Sequence, residues 1–274
     1  MLSKNNVNYL YRLSAALFLI LAAISCSDNS NPFDNVNSNV ANTNFYAVET
    51  FSQNVAVNNQ SVFTLNAVSG TIKINTTEGA LVKIYGERRV ESQSTEDAEA
   101  WLNGLKVQVE DRGDEVYVQT IQPEKTNGRN LLVNYNIEIP ASWAVSIDNV
   151  NGDVQADSLT GGFELNLVNG RILLHDLFCG VNVNLTNGNI ESRIALPQQE
   201  NILMNLVNGS IDLQIPQTTS ADVVASVVNG SVIANNLNFQ TLSSSARRLS
   251  GTIGSGLGTI TLATVNGTIS ILGY

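Results

Sequence analysis

One tripeptide is written again and again along the second half of this sequence. "VNG" stands at Val150–Gly152, Val168–Gly170, Val207–Gly209, Val228–Gly230 and Val265–Gly267, with "TNG" at Thr186–Gly188 and "LSG" at Leu249–Gly251. Taken singly, Asn-Gly between alternating apolar residues is the signature of a two-residue β-hairpin. Its return at glycines 152, 170, 188, 209, 230, 251 and 267, in steps of 16 to 21 residues, marks a repeat architecture.

Aligning the copies on their glycines gives apolar columns. Seven residues before the glycine stand Val145, Phe163, Val181, Ile202, Val223 and Ile260; five before stand Ile147, Leu165, Val183, Met204, Ala225 and Leu262. Three before stand Leu167, Leu185, Leu206, Val227 and Thr264, and two after stand Val154, Ile172, Ile190, Ile211, Val232, Ile253 and Ile269. A meander of hairpins would pair residues across each Asn-Gly, whereas a solenoid pairs each with its counterpart one coil away. The repeat length suits one coil, and the identities run between copies. The expected fold is therefore all-β: a β-solenoid, single-stranded and β-helix-like, of 16–21-residue coils with Asn-Gly corners. Asn151, Asn169, Asn187, Asn208, Asn229 and Asn266 are expected to form a structural ladder of hydrogen-bonded amides at the corner. Leu167, Leu185, Leu206 and Val227 are expected to form one internal stack. "RRLSG" puts Ala246 and Arg248 where core residues belong, which predicts looser or bulged last coils. Thr268–Leu272, beside the chain end, is expected to fold back on the chain or to support end-to-end association.

Residues 45–140 read as short strands with one capped helix in "STEDAEAWLNGL", where Ser94 or Thr95 precedes acidic residues. This β-rich segment is expected to cap the N-terminal end of solenoid repeats spanning 141–274. At the start, Lys4 and Arg12 precede "LSAALFLILAAISC", which has the basic start, short apolar core and small-residue end of a secretory signal over residues 1–25. "AISC" resembles the lipobox of bacterial lipoproteins, so Cys26 is the expected lipidation site. Residues 26–44 then form the lipidated cysteine and an Asn/Ser-rich tether. The predicted location is the bacterial cell envelope, lipid-anchored in the outer membrane.

The formal net charge is −10, which argues against a nucleic-acid partner. Of 2 cysteines, lipidation of Cys26 leaves Cys179 without an intrachain partner, a small buried apolar residue. The lone His175 has no companion at ligand spacing, so no metal and no cofactor are expected.

The array "DNVNGDV" (Asp148–Val154), "VNGRI", "VNGSI" and "VNGTI" resembles the adhesin-like β-strand-repeat family of bacterial envelope proteins, a domain of unknown function. The resemblance covers most of residues 45–274. It implies a β-solenoid-like body on secreted or envelope-anchored proteins and brings no catalytic motif. The function read from this is a non-enzymatic, lipid-anchored envelope protein presenting an interaction surface. Its partners are the membrane, through the lipid, and envelope proteins or glycans. The alternative is a carbohydrate-active enzyme. Glu191 and Asp212 lie three residues past their glycines and would sit on adjacent coils, with His175 and Arg193 nearby, as an acid/base pair for glycoside hydrolysis needs.

Overall fold

The Asn-Gly pairs at 169–170, 187–188, 208–209, 229–230 and 266–267 lie in the middle of long strands, and parity explains why. Inward residues three before and two after the glycine are five apart, so a straight strand would put them on opposite faces. The glycines bend the strand at positive φ, +151° at Gly170 and +140° at Gly188, and both residues then point inside.

The computed structural model describes residues 44–274. The strands run β1 (Phe45–Ala56), β2 (Val62–Asn66), β3 (Ile72–Thr76) and β4 (Leu81–Ser92), then helix α1 (Thr95–Leu102). There follow β5 (Lys106–Asp111), β6 (Glu115–Ile121), β7 (Asn130–Ile139), β8 (Ala144–Asn151) and β9 (Val154–Asp157). The corner-spanning strands are β10 (Phe163–Leu177), β11 (Val181–Ile194), β12 (Asn201–Ile215) and β13 (Ala221–Asn235). Last come β14 (Phe239–Ser245), β15 (Arg248–Ile253) and β16 (Gly258–Gly273).

Pairing is parallel from coil to coil. Leu167 faces Leu185, Ile172 faces Ile190, and Leu185 faces Leu206, not the residues across their own corner. The pre-corner half of β10 pairs with β8 and the post-corner half with β9, so the strands build two faces that share one core. The inward columns Leu165, Val183, Met204 and Leu262 are buried to 0% exposure. Burying each such side chain stabilises by about 1.5–3 kcal/mol before the entropy of ordering it is counted.

The same pairing continues across residue 141 without a break. β2 lies parallel to β8 and β3 parallel to β9, so Val62–Thr76 is one more coil, with Val68-Ser69-Gly70 at its corner. β6 and β7 stack beyond it, parallel to β2 and β3. Residues 45–140 thus continue the sheet and are not a cover laid on its end. Only their outermost members, β5, β4 and β1, turn antiparallel. Ser94 caps α1 by accepting from the Asp97 N–H, and the helix buries Ala98 and Leu102. Asp97 also takes a bidentate pair from Arg129, Nε–Oδ2 2.6 Å and Nη2–Oδ1 2.7 Å.

At the other end chain order and space part company. β16 lies between β12 and β13, parallel to both. The expected stack of Leu167, Leu185, Leu206 and Val227 is therefore interrupted, because Thr264 stands between Leu206 and Val227. The segment Thr268–Leu272 folds back inside the sheet and is no free edge. "LSG" is not a corner either. β15 runs antiparallel to β13, with Leu249 opposite Ala225, and β14 runs antiparallel to β15, so this copy closes the stack as a hairpin. Ala246, unfit for a core column, falls in the hairpin turn, and Arg248 opens β15 beside it, exposed. The predicted signal peptide, Cys26 and nearly all of the tether lie outside the described residues.

Candidate functional site

Three rows of side chains cross the coils on their outside. At the corner, Asn169 Nδ2 donates to Asn151 Oδ1 at 2.8 Å, Asn187 to Asn169 at 2.8 Å and Asn208 to Asn187 at 2.8 Å. Asn266 then donates to Asn208 at 2.8 Å and Asn229 to Asn266 at 2.9 Å. The five bonds run in one direction, with 266 placed before 229 because β16 is inserted. At the far end Asn151 donates to Ser69 Oγ at 3.4 Å, a member that the search for Asn-Gly passes over. Phe63, Leu65 and Ile72, which keep the columns around Gly70, carry the signal for it.

Beside this row the glycines stack so tightly that no side chain fits: a Cβ on Gly188 would lie 1.7 Å from the Gly170 carbonyl oxygen. The next outward row on the pre-corner face is also amide-rich. Asn166 donates to Asp148 at 2.8 Å, Asn184 to Asn166 at 2.9 Å and Asn205 to Asn184 at 3.0 Å. Glu164, on that face, has its carboxyl pushed above the usual range by burial and then by the charge of Asp148.

The post-corner face holds the charged group. An open groove of about 510 Å³ is lined by His175, Glu191, Arg193, Asp212, Gln214 and Ser270, among others. Glu191 and Asp212 are register partners on neighbouring strands, so the structure brings the two expected carboxylates to one face. Arg171, which the column reading did not single out, takes both oxygens of Glu191: Nε–Oε1 3.0 Å, Nη2–Oε1 2.7 Å and Nη2–Oε2 2.6 Å. His175 Nδ1 stands 3.3 Å from Asp157 Oδ1. Arg193 lies 3.1 Å from Asp176 and stacks on the Tyr274 ring at 4.3 Å. Glu191 and Arg193 are thus each held by an opposite charge, whereas among the described residues the Asp212 carboxylate meets only the Ser210 hydroxyl, at 3.4 Å. A guanidinium on both oxygens of Glu191 fixes that side chain in place, an arrangement that suits binding or positioning.

Burial pushes the Cys179 thiol up to about 12, with the Glu200 charge adding to it; this thiol is inert. Among the described residues, no cluster of three or more His, Cys, Asp or Glu is placed to hold a metal. No helix among them is long and apolar enough to cross a membrane.

The sequence model of one family, described as Toastrack DUF4097, matches residues 62–272. No curated protein matches the chain. Among solved structures, the chain is similar to a candidate cell adhesion protein from Clostridium sporogenes at 16% identity and TM-score 0.47, covering 83% of this chain and 100% of the other. It is similar to a candidate adhesin from Bacteroides fragilis at 13% identity and TM-score 0.29, covering 82% and 97%. A candidate lipid-binding protein from Parabacteroides distasonis gives 11% identity and TM-score 0.22, covering 82% and 96%.

Proposed function

The chain belongs to the Toastrack DUF4097 family, and from that premise we propose that it is a non-enzymatic, lipid-anchored protein of the cell envelope whose β-solenoid body serves as an adhesin-like interaction surface. The observation that carries this reading is the pair of amide rows on the outside of stacked coils. Each Asn in the interior of a row uses one donor and one acceptor on its neighbours and keeps the rest for solvent or a partner. Rows fixed at the strand spacing of about 4.8 Å offer regularly placed polar groups at little further entropic cost. Repeating glycans and envelope proteins are the partners that such rows fit.

Two measurements test it. Changing Cys26 to Ala should release the protein from the membrane fraction or leave it unprocessed, and unchanged acyl labelling in that variant defeats the anchor. Pull-down of envelope glycans and proteins by the full chain should weaken on replacing Asn166, Asn184 and Asn205 together by Ser. Capture that ignores this change removes the surface from the account.

The carbohydrate-active reading keeps one favourable observation, the in-register placement of Glu191 and Asp212 in a groove. It requires glycan hydrolysis that disappears in both Glu191→Gln and Asp212→Asn. Hydrolysis that persists in either variant, or none in the wild type over a panel of envelope glycans, ends it.

A further inference from the structure

The stacked sheet ends on four strand segments, and they are not equally protected. At the N-terminal end β5 carries Lys106, Glu110 and Asp111, and β1 carries Glu49, paired with Arg88. Charges of this kind keep an edge from recruiting another strand. At the other end the post-corner half of β13 is partly closed, since Val232 N–H donates to the Ala246 carbonyl at 3.0 Å. β14, "FQTLSSS", is different. It has no charge and no proline, its residues from Gln240 to Ser245 are all exposed, and among the described residues it pairs only with β15. Leu242 lies opposite Gly251, which has no side chain to cover it, and stays 55% exposed.

We propose that β14 is a self-recognition edge: two copies of this chain pair β14 against β14, antiparallel, about a two-fold axis near Leu242, so that the sheet runs from one molecule into the next. A second copy is the occupant favoured by charge and symmetry. A chain of net charge −10 repels itself wherever acids face each other, and β14 brings none. Arg247 and Arg248 follow one residue after the strand, at the turn into β15. A two-fold axis sends each arginine pair to an opposite end of the joint, beyond the neutral Phe239 end of the other copy. At the axis the two exposed Leu242 side chains cover each other, and cross-strand apolar pairs of this kind stabilise a sheet. The joint is isologous, so it closes at the dimer.

The test uses the full chain in detergent micelles. Sedimentation of the wild type should show a monomer–dimer equilibrium. Leu242→Lys places like charges at the axis and should weaken the dimer about tenfold or more, with the melting temperature unchanged at dilutions where both proteins are monomeric, because the side chain is exposed in the single chain. Leu242→Cys, oxidised in membranes, should give a disulfide-linked dimer that the wild type, oxidised in parallel, does not. A wild type that stays monomeric up to about 100 μM, a dimer indifferent to Leu242→Lys, species that grow past the dimer, or no cross-link at position 242 each overturn the proposal.

Discussion

Asn266 donates to Asn208 at 2.8 Å across 58 residues of chain, and that bond marks where the last strand lies. It places β16 against β12, and it leaves β13, the strand that follows β12 in sequence, one position further out. Coupling should follow space. In a double-mutant cycle, Leu206→Ala and Thr264→Ala should couple by about 0.5 kcal/mol or more, and Leu206→Ala with Val227→Ala should be close to additive. The reverse pattern, read from urea unfolding, would place β13 beside β12.

Thr264 sits in an apolar column, 4% exposed, with its hydroxyl oxygen lacking a hydrogen-bond partner among the described residues. Thr264→Val keeps the shape and removes the orphan hydroxyl. It should stabilise the protein by about 1–2 kcal/mol, seen as a raised denaturation midpoint with an unchanged slope. By contrast Leu185→Ala, in the same column and 0% exposed, should cost about 2–5 kcal/mol by opening a cavity.

The corner glycines should be the least replaceable residues of the coils. Gly188→Ala meets both a positive φ, +140°, and the Gly170 carbonyl oxygen 1.7 Å from the new Cβ. Strain and forced displacement together should cost about 3–5 kcal/mol. Gly162→Ala, where a Cβ would meet nothing within 4 Å, is the matched control. It should stay within about 0.5 kcal/mol of wild type. Equal melting temperatures for the two variants would contradict the stacked corner.

Asp97 carries a pH signature. Hydrogen bonds from Arg129 and then Ser92 hold its carboxyl at about 2, below the ordinary 3.8. A carboxyl depressed in the folded state stabilises above its unfolded pKa and loses that contribution as pH falls through the folded one. Asp97→Asn should therefore melt below wild type at pH 7, and the gap should close between about pH 4 and pH 2. A gap that stays constant over that interval would mean that the Arg129 pair contributes nothing.

What the sequence determined by itself is the coil: its length, its inward columns, its Asn-Gly corner and the amide row. These are legible because they are local and repeated. Each copy restates which residues face inside, and only glycine tolerates a carbonyl where a Cβ would be. The shared face of Glu191 and Asp212 follows from the same bookkeeping of columns. The sequence did not reveal the grip of Arg171 on Glu191, because a long flexible side chain selects its partner across strands by distance and charge. Nor did it show the coil at Gly70, where Ser replaces Asn and the columns alone survive. Above all it left open which coil stacks on which. Every coil offers its neighbours the same backbone pattern and nearly the same columns, so pairing β12 with β13 or with β16 is almost equivalent locally. Only tertiary structure decides, and here it does so through "LSG". With Ala246 and Arg248 in place of core residues, that segment cannot be buried between two coils, so it turns back as a hairpin on the outside of β13, and the following strand fills the place between β12 and β13.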